Sequence, residues 1–396
     1  MFISVERVCQ IFVIFVPGHV FYFCSMDIPW IRGRVALQAH VGLPDNTVEE
    51  EYARNGFFGR YAHLYRKNAP VGWTRIEGPL KPRAYDLREV KGDADDWLAG
   101  RHGVLGNDDV VMSWARLTTP MPYLFRNADA DEVLFVHGGA GRLETDFGPL
   151  PYEAGDYIVV PRGTAYRLAP SSSSSFIVVE AFSEVSLPDK GMLGQTALFD
   201  PALIQVPTPE AGSLAPNADG EFEVRIKREG EYTSVFYGFD PHDVVGWKGT
   251  LAAYKINVKD IRPVLSDRYH LPPSAHTTFL MHNAVICTFL PRPLENGDPT
   301  ALKVPFYHSN IDFDEVIFYH SGEFFSRVGI APGMVTFHPQ GIHHGPQAQA
   351  NARAQAATRT EEVAVMLDTK RPLRPLPSSA DVEIVDYCNS WKPKAL

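Results

Sequence analysis

The chain has 396 residues, 45% hydrophobic and 21% charged, enough to bury sizeable cores in two or three domains. A net charge of −10, with no Lys/Arg block, argues against a nucleic-acid footprint. Only Cys9, Cys24, Cys287 and Cys388 occur, scattered and without CxxC spacing, which excludes a disulfide scaffold and points to a reducing, cytoplasmic setting.

At the amino terminus, IFVIFVPGHVFYFC (11–24) is apolar but interrupted by Pro17 and His19, short for a membrane span and without a positive lead. Residues 1–25 are expected to precede a true start at Met26; an export segment is the other reading, and no membrane association is expected. From Met26 to about Asp86 the text is mixed, with a helix or turn expected around EEYARNGFF (50–58). VVMSWARLTT (110–119) alternates and is β-branched, as a half-buried strand should be. Strand-like runs follow at EVLFVHG (132–138), GRLETDFG (141–148), DYIVVPRG (156–163) and SFIVVEAF (175–182), divided by glycine and proline. Such spacing predicts a sandwich or barrel. Residues 171–175 (SSSSS) and 207–223 read as loops. A second strand series runs through TTFLMHNAVICTFLP (277–291), EVIFYHSG (315–322), GMVTFHPQG (333–341) and EVAVMLDT (362–369). ANARAQAATRT (350–360) is expected as a loop or helical turn, and residues 370–391 as an extended arm with a short terminal element.

The two series are copies of one unit. FRNADADEVLFVHGG (125–139) lies on HSNIDFDEVIFYHSG (308–322), so that Asn127, Asp131, Glu132, Phe135, His137 and Gly139 fall on Asn310, Asp314, Glu315, Phe318, His320 and Gly322. GDYIVVPRGTAY (155–166) lies on GMVTFHPQGIHH (333–344) in the same order. The fold class expected is therefore all-β, a duplicated β-barrel with its two copies packed together. Residues 26–260 carry the first copy and 261–396 the second, with its arm.

Laying one copy on the other isolates what folding does not require. Phe125, Val160, Ala165 and Tyr166 become His308, His338, His343 and His344, while Glu132 persists as Glu315. A barrel folds with apolar or aromatic groups at those sites, so four histidines arriving together call for chemistry. His308, Glu315 and His344 follow the order of a two-histidine, one-carboxylate metal face, the arrangement of non-haem Fe(II) oxygenases, which leaves positions open for substrate and O2. Mn, Ni or Zn would also suit such a set. His343 adjoins His344 and cannot face the same side of a strand, so it is expected in the pocket or at the surface. His338 is expected to steady a ligand or the substrate by a hydrogen bond. His320, matched by His137, is expected to be structural.

These residues carry a resemblance. The repeated E-x6-G (Glu132 to Gly139, Glu315 to Gly322) and the PGM of the second block resemble the cupin superfamily of double-stranded β-helix, or jelly-roll, barrels. FYHSN (306–310), HHGP (343–346) and LPDNTVEEEYARNGFFGRYAHLYR (43–66) resemble the homogentisate 1,2-dioxygenase family. The resemblance implies a degenerate amino-terminal cupin and a metal-binding carboxy-terminal one, with Fe(2+) on His308, Glu315 and His344. It also implies a pocket to which Tyr307, Asn310, His338 and His343 contribute, and a homo-oligomer, trimer or hexamer. The family's acid/base histidine, followed by a proline-serine pair, falls on His270 in DRYHLPPS, with His276 and His282 as weaker candidates. The implied reaction takes homogentisate and O2 to maleylacetoacetate, a step of tyrosine and phenylalanine breakdown. The sequence departs from the family at Phe306 and Phe324, where tyrosines are expected, which leaves the aromatic substrate open. The interval from His308 to Glu315 is one residue longer, and Asp314 stands at the shorter spacing. The alternative reading is a bicupin acting as a metal-dependent isomerase or as a small-molecule binding protein.

Overall fold

The structure is a computed structural model, and it describes residues 12–16, 19–23, 29–57, 59–92, 94–210, 216, 219–324 and 327–392. Both readings of residues 1–25 fall largely outside these; within that stretch the strands Phe12–Val16 and His19–Phe23 pair antiparallel.

The first copy builds two sheets. One runs in the order Gly148–Glu153, Ala140–Thr145, Ala165–Pro170, Leu124–Asn127, Phe222–Arg228, Glu231–Tyr237. The other runs Tyr254–Asn257, Asp156–Val160, Asp131–Gly138, Ser174–Ala181, Val110–Leu117, His102–Gly106, Arg374–Pro375. The second copy builds a sheet in the order Thr277–Met281, Ala284–Phe289, Val363–Thr369, Asp314–Ser321, Met334–His338, Arg83–Asp86. A three-stranded sheet of Tyr307–Asn310, Val48–Ala53 and Tyr61–Arg66 adds to it. The described fold is thus all-β and duplicated, as expected.

Chain exchange ties the copies together. Arg83–Asp86 pairs with Met334–His338 of the second copy, and Arg374–Pro375 returns to pair with His102–Gly106 of the first. Period-two alternation explains why the repeated strands read as nearly unbroken apolar runs, since both faces are covered. In Asp131–Gly138, Leu134 and Val136 join a core inside the first barrel, while Val133 and Phe135 join a larger core with Val316 and Phe318 of the second copy. In Asp314–Ser321, Ile317 and Tyr319 turn into the second barrel. Gly139 and Gly322 close the two strands at φ 85° and 91°, where a Cβ would collide with the Ser173–Ser174 and Glu361–Glu362 backbones.

Two local expectations are corrected. Of the helix or turn expected around 50–58, the turn stands at 55–57, but residues 48–53 form a strand, in which Glu49 and Glu50 pair with His63 and Arg66 of the neighbouring strand. Residues 348–356 form an α-helix, with Ala350 and Ala354 buried. The hairpin Phe222–Arg228 and Glu231–Tyr237 carried no expectation. Its outer strand, EYTSVFY, is mostly exposed and lacks a regular apolar alternation.

Candidate metal centre and pocket

His308 and His344 are brought together by the backbone. His308 N–H donates to the His344 carbonyl (3.0 Å) and His344 N–H returns the bond to His308 (3.2 Å), an isolated antiparallel bridge that stacks their rings edge-on at 4.2 Å. His308 Nδ1 lies 3.0 Å from the Phe306 carbonyl, which can only accept, so Nδ1 carries the proton and Nε2 offers a lone pair. Glu315 points into the barrel from Asp314–Ser321, and its Oε2 lies 3.6 Å from each of the two Nε2 atoms. Both Nε2 atoms are buried with no hydrogen-bond partner. Buried polar nitrogens are normally paired, so two orphans facing one carboxylate oxygen fit a divalent transition metal.

The other side of Glu315 is fixed. His338 Nδ1 donates to Glu315 Oε1 at 2.8 Å, and the Tyr387 hydroxyl donates to His338 Nε2 at 3.2 Å. Burial holds His338 neutral, at about 3, which leaves Nε2 as an acceptor. Burial opposes ionisation of Glu315, but the imidazoles of His344, His308 and His338 outweigh it and hold the carboxyl well below its usual range. Asp314 faces away: its two oxygens accept from the backbone N–H groups of Gln340 (2.8 Å) and Leu373 (2.6 Å).

The first copy accounts for the persistence of Glu132. There the guanidinium of Arg101 is buried, donating to Glu132 at 2.7 Å and to the Tyr166 hydroxyl at 3.0 Å. It lies over the Phe125 ring, 5.2 Å from its centroid, and Tyr166 also donates to Glu132. A fixed organic cation thus meets the carboxylate at the repeat position where the second copy has imidazoles.

Beside His308 and Glu315 opens a pocket of about 710 Å³, part of it open to solvent. His270 lines it, buried, with Nε2 unpartnered and its ring 4.2 Å from Phe306. Burial, then the charges of His40 and Arg292, hold His270 well below the usual imidazole range, so it is neutral. His40, 5.5 Å from it, is the opposite case: burial is overruled by Glu49 and Glu51, which raise it to about 9. His276 also lines the pocket, whereas His282 sits exposed in a hairpin turn. Tyr307 packs with Val71, Ala84 and Trp391, Asn310 accepts from the Gly56 N–H, and His343 pairs with Glu50; none of the three lines the pocket. Phe306 lines it, while Phe324 packs behind it against Tyr319.

Known proteins resemble this chain over most of its length. The family model described as the homogentisate 1,2-dioxygenase N-terminal region matches residues 89–258. A protein of Saccharolobus solfataricus that carries a provisional dioxygenase name is 31% identical over 391 residues, covering 94% of this chain and 99% of its own. The chain belongs to the homogentisate 1,2-dioxygenase family. Family members from Rhizobium etli and Rhizobium leguminosarum, each named homogentisate 1,2-dioxygenase, are 24% and 25% identical over 83% of this chain and 75% of theirs. Membership makes the chain an oxidoreductase of dioxygenase type.

Several pocket residues carried no sequence signal. Arg292, Glu362, Ile317 and Tyr319 line the pocket, and Tyr387 reaches His338 from the carboxy-terminal arm. A comparison of the two copies finds only what differs at matched positions, and Tyr387 has no counterpart in the matched blocks.

Proposed function

We propose that the protein is an Fe(II)-dependent ring-cleaving dioxygenase whose substrate is homogentisate, opened with O2 to maleylacetoacetate in tyrosine and phenylalanine breakdown. The observation that carries this reading is the meeting of two orphaned imidazole nitrogens and one carboxylate oxygen beside a pocket, in a chain of this family. His308, Glu315 and His344 would hold the ion through Nε2, Oε2 and Nε2. When bound, Fe(II) supplies the electron chemistry that makes O2 reactive toward an aromatic ring.

The chain's own part is positioning and proton handling. His338, held by Tyr387, fixes the plane of the Glu315 carboxylate. Phe289, Phe306 and Ile317 give the ring an apolar slot and keep water from it. His270, neutral and with Nε2 unsatisfied, takes the phenolic proton at that atom and returns it after the ring has opened. The enzyme is further proposed to be a cytoplasmic homo-oligomer. Among the described residues no helix is long and apolar enough to cross a membrane.

The test is metal analysis together with oxygen uptake by the Fe(II)-loaded protein against a panel of hydroquinone and catechol acids. His308→Ala and His344→Ala should each lose the ion while keeping native circular dichroism, because Phe125 and Tyr166 occupy those positions in a folded barrel. Full iron and activity in either variant refutes the ligand set. Metal bound without oxygen uptake on any acid points instead to an isomerase or a binding protein.

A further inference from the structure

The pocket holds a second group of polar atoms that the proposed proton and metal chemistry leaves unused. Arg292, in the short strand Arg292–Pro293, is only 8% exposed, and its Nη1 has no hydrogen-bond partner. No carboxylate forms an ion pair with it among the described residues; Glu362 and Glu295 compensate its charge only at longer range. Glu362 lines the same pocket with Oε2 likewise unpartnered. A buried cation with no anion in contact costs several kcal/mol, on the order of the penalty for breaking a buried ion pair. A fold retains such a group where a ligand supplies the counter-charge. The planar guanidinium fork suits a carboxylate, which it can meet with two parallel hydrogen bonds. Phe289, Ile317 and Tyr319 of the lining are aromatic or apolar and suit a flat ring, while the pocket's other buried guanidinium, Arg327, is already engaged by the Tyr387 hydroxyl and the Trp391 ring.

We propose that Arg292 is the anchor for the substrate's carboxylate, so that this pocket selects an aromatic ring bearing an acid side chain over its neutral analogue. The inference rests on the reading of this pocket as the substrate site and adds the residue that sets its charge preference. Glu362, pushed up to about 7 by burial, accommodates the incoming anion by taking up a proton rather than repelling it.

The test is anaerobic calorimetric titration of the Fe(II)-loaded protein with 2,5-dihydroxyphenylacetate and with the corresponding neutral amide. Wild type should bind the acid about 10–100-fold more tightly, as expected for a charge-assisted pair. Arg292→Gln should erase that preference, leaving amide affinity within about threefold and iron content unchanged, and Arg292→Lys should restore part of it. Equal weakening of acid and amide in Arg292→Gln would mean that Arg292 only supports the wall, and would overturn the proposal. Should Arg292→Gln fail to fold, wild type decides: no preference for the acid overturns the anchor. The two readings fail separately. A protein that takes no iron yet prefers the acid keeps the anchor and loses the dioxygenase. One that consumes oxygen equally with acid and amide does the reverse.

Discussion

At the scale of single residues, neighbours in one strand have opposite duties. Glu315 faces two orphaned imidazoles, and Asp314 ties the strand to the backbone of Gln340 and Leu373. Glu315→Gln should therefore strip the ion while leaving the melting temperature nearly unchanged. Asp314→Asn should keep the ion and lose stability by about 1–3 kcal/mol, since one of its two backbone donors is left unpaired in a buried place. Iron content and thermal melting on the two variants check this, and the opposite pattern would move the ligand to Asp314. His270 carries a different expectation. His270→Gln should leave iron and substrate binding intact and slow turnover by about 10²–10⁴-fold, the range for losing an acid/base group. Loss of iron would make it a structural residue, and an unchanged rate would return the role to His276, which lines the same pocket.

At the scale of elements, the carboxy-terminal arm is part of the centre. Its turn Tyr387–Trp391 seats Trp391 so that Nε1–H donates to the Gly345 carbonyl at 3.1 Å, one residue after His344, and aims Tyr387 at His338. Tyr387→Phe removes only the hydroxyl from the Tyr387–His338–Glu315 chain. It should weaken metal affinity by about 10–100-fold with the fold intact, the usual cost of losing a group that orients a ligand. A competition titration against a chelator of known affinity measures this; unchanged affinity would reduce the arm to a packing element. The hairpin Val48–Ala53 and Tyr61–Arg66 plays a matching part on the other side, since Val48–Ala53 pairs in parallel with the strand that carries His308.

At the scale of the molecule, the barrels meet through matched strands. There His137 and His320 face each other, Nδ1 to Nδ1 at 3.0 Å, a contact in which one nitrogen must donate and the other accept. Burial lowers both rings to about 4 from the ordinary 6.5. The unfolded chain therefore takes up protons first as the pH falls. The stabilisation is complete above pH 6.5, declines as the pH drops toward 4, and changes no further below that. By linkage each ring accounts for up to about 3 kcal/mol. Thermal melts at pH 7.5 and 4.5 should show a smaller drop for a His137→Phe, His320→Phe variant than for wild type. Equal drops would assign acid sensitivity to other groups.

The duplication, the strands with both faces apolar and the set His308, Glu315, His344 were all legible in the chain. Each is a difference or a period written along one dimension: copy against copy isolates the histidines, and alternation marks the strands. What stayed hidden depends on which distant segments meet. Residues 50–58 read as helix or turn, and the strand at 48–53 stayed hidden because its three consecutive glutamates are partnered by the distant His40, His63, Arg66 and His343. Glu132 persists in a copy without the histidines, and its partner Arg101 stands 31 positions earlier in the chain, outside the matched blocks. The gathering of Arg292, Arg327 and Glu362 around the pocket and the support of Tyr387 were likewise decided by tertiary structure. Burial fixes whether a charged or polar group is paired, neutral or orphaned, and burial is a property of the folded chain, not of the order of its residues.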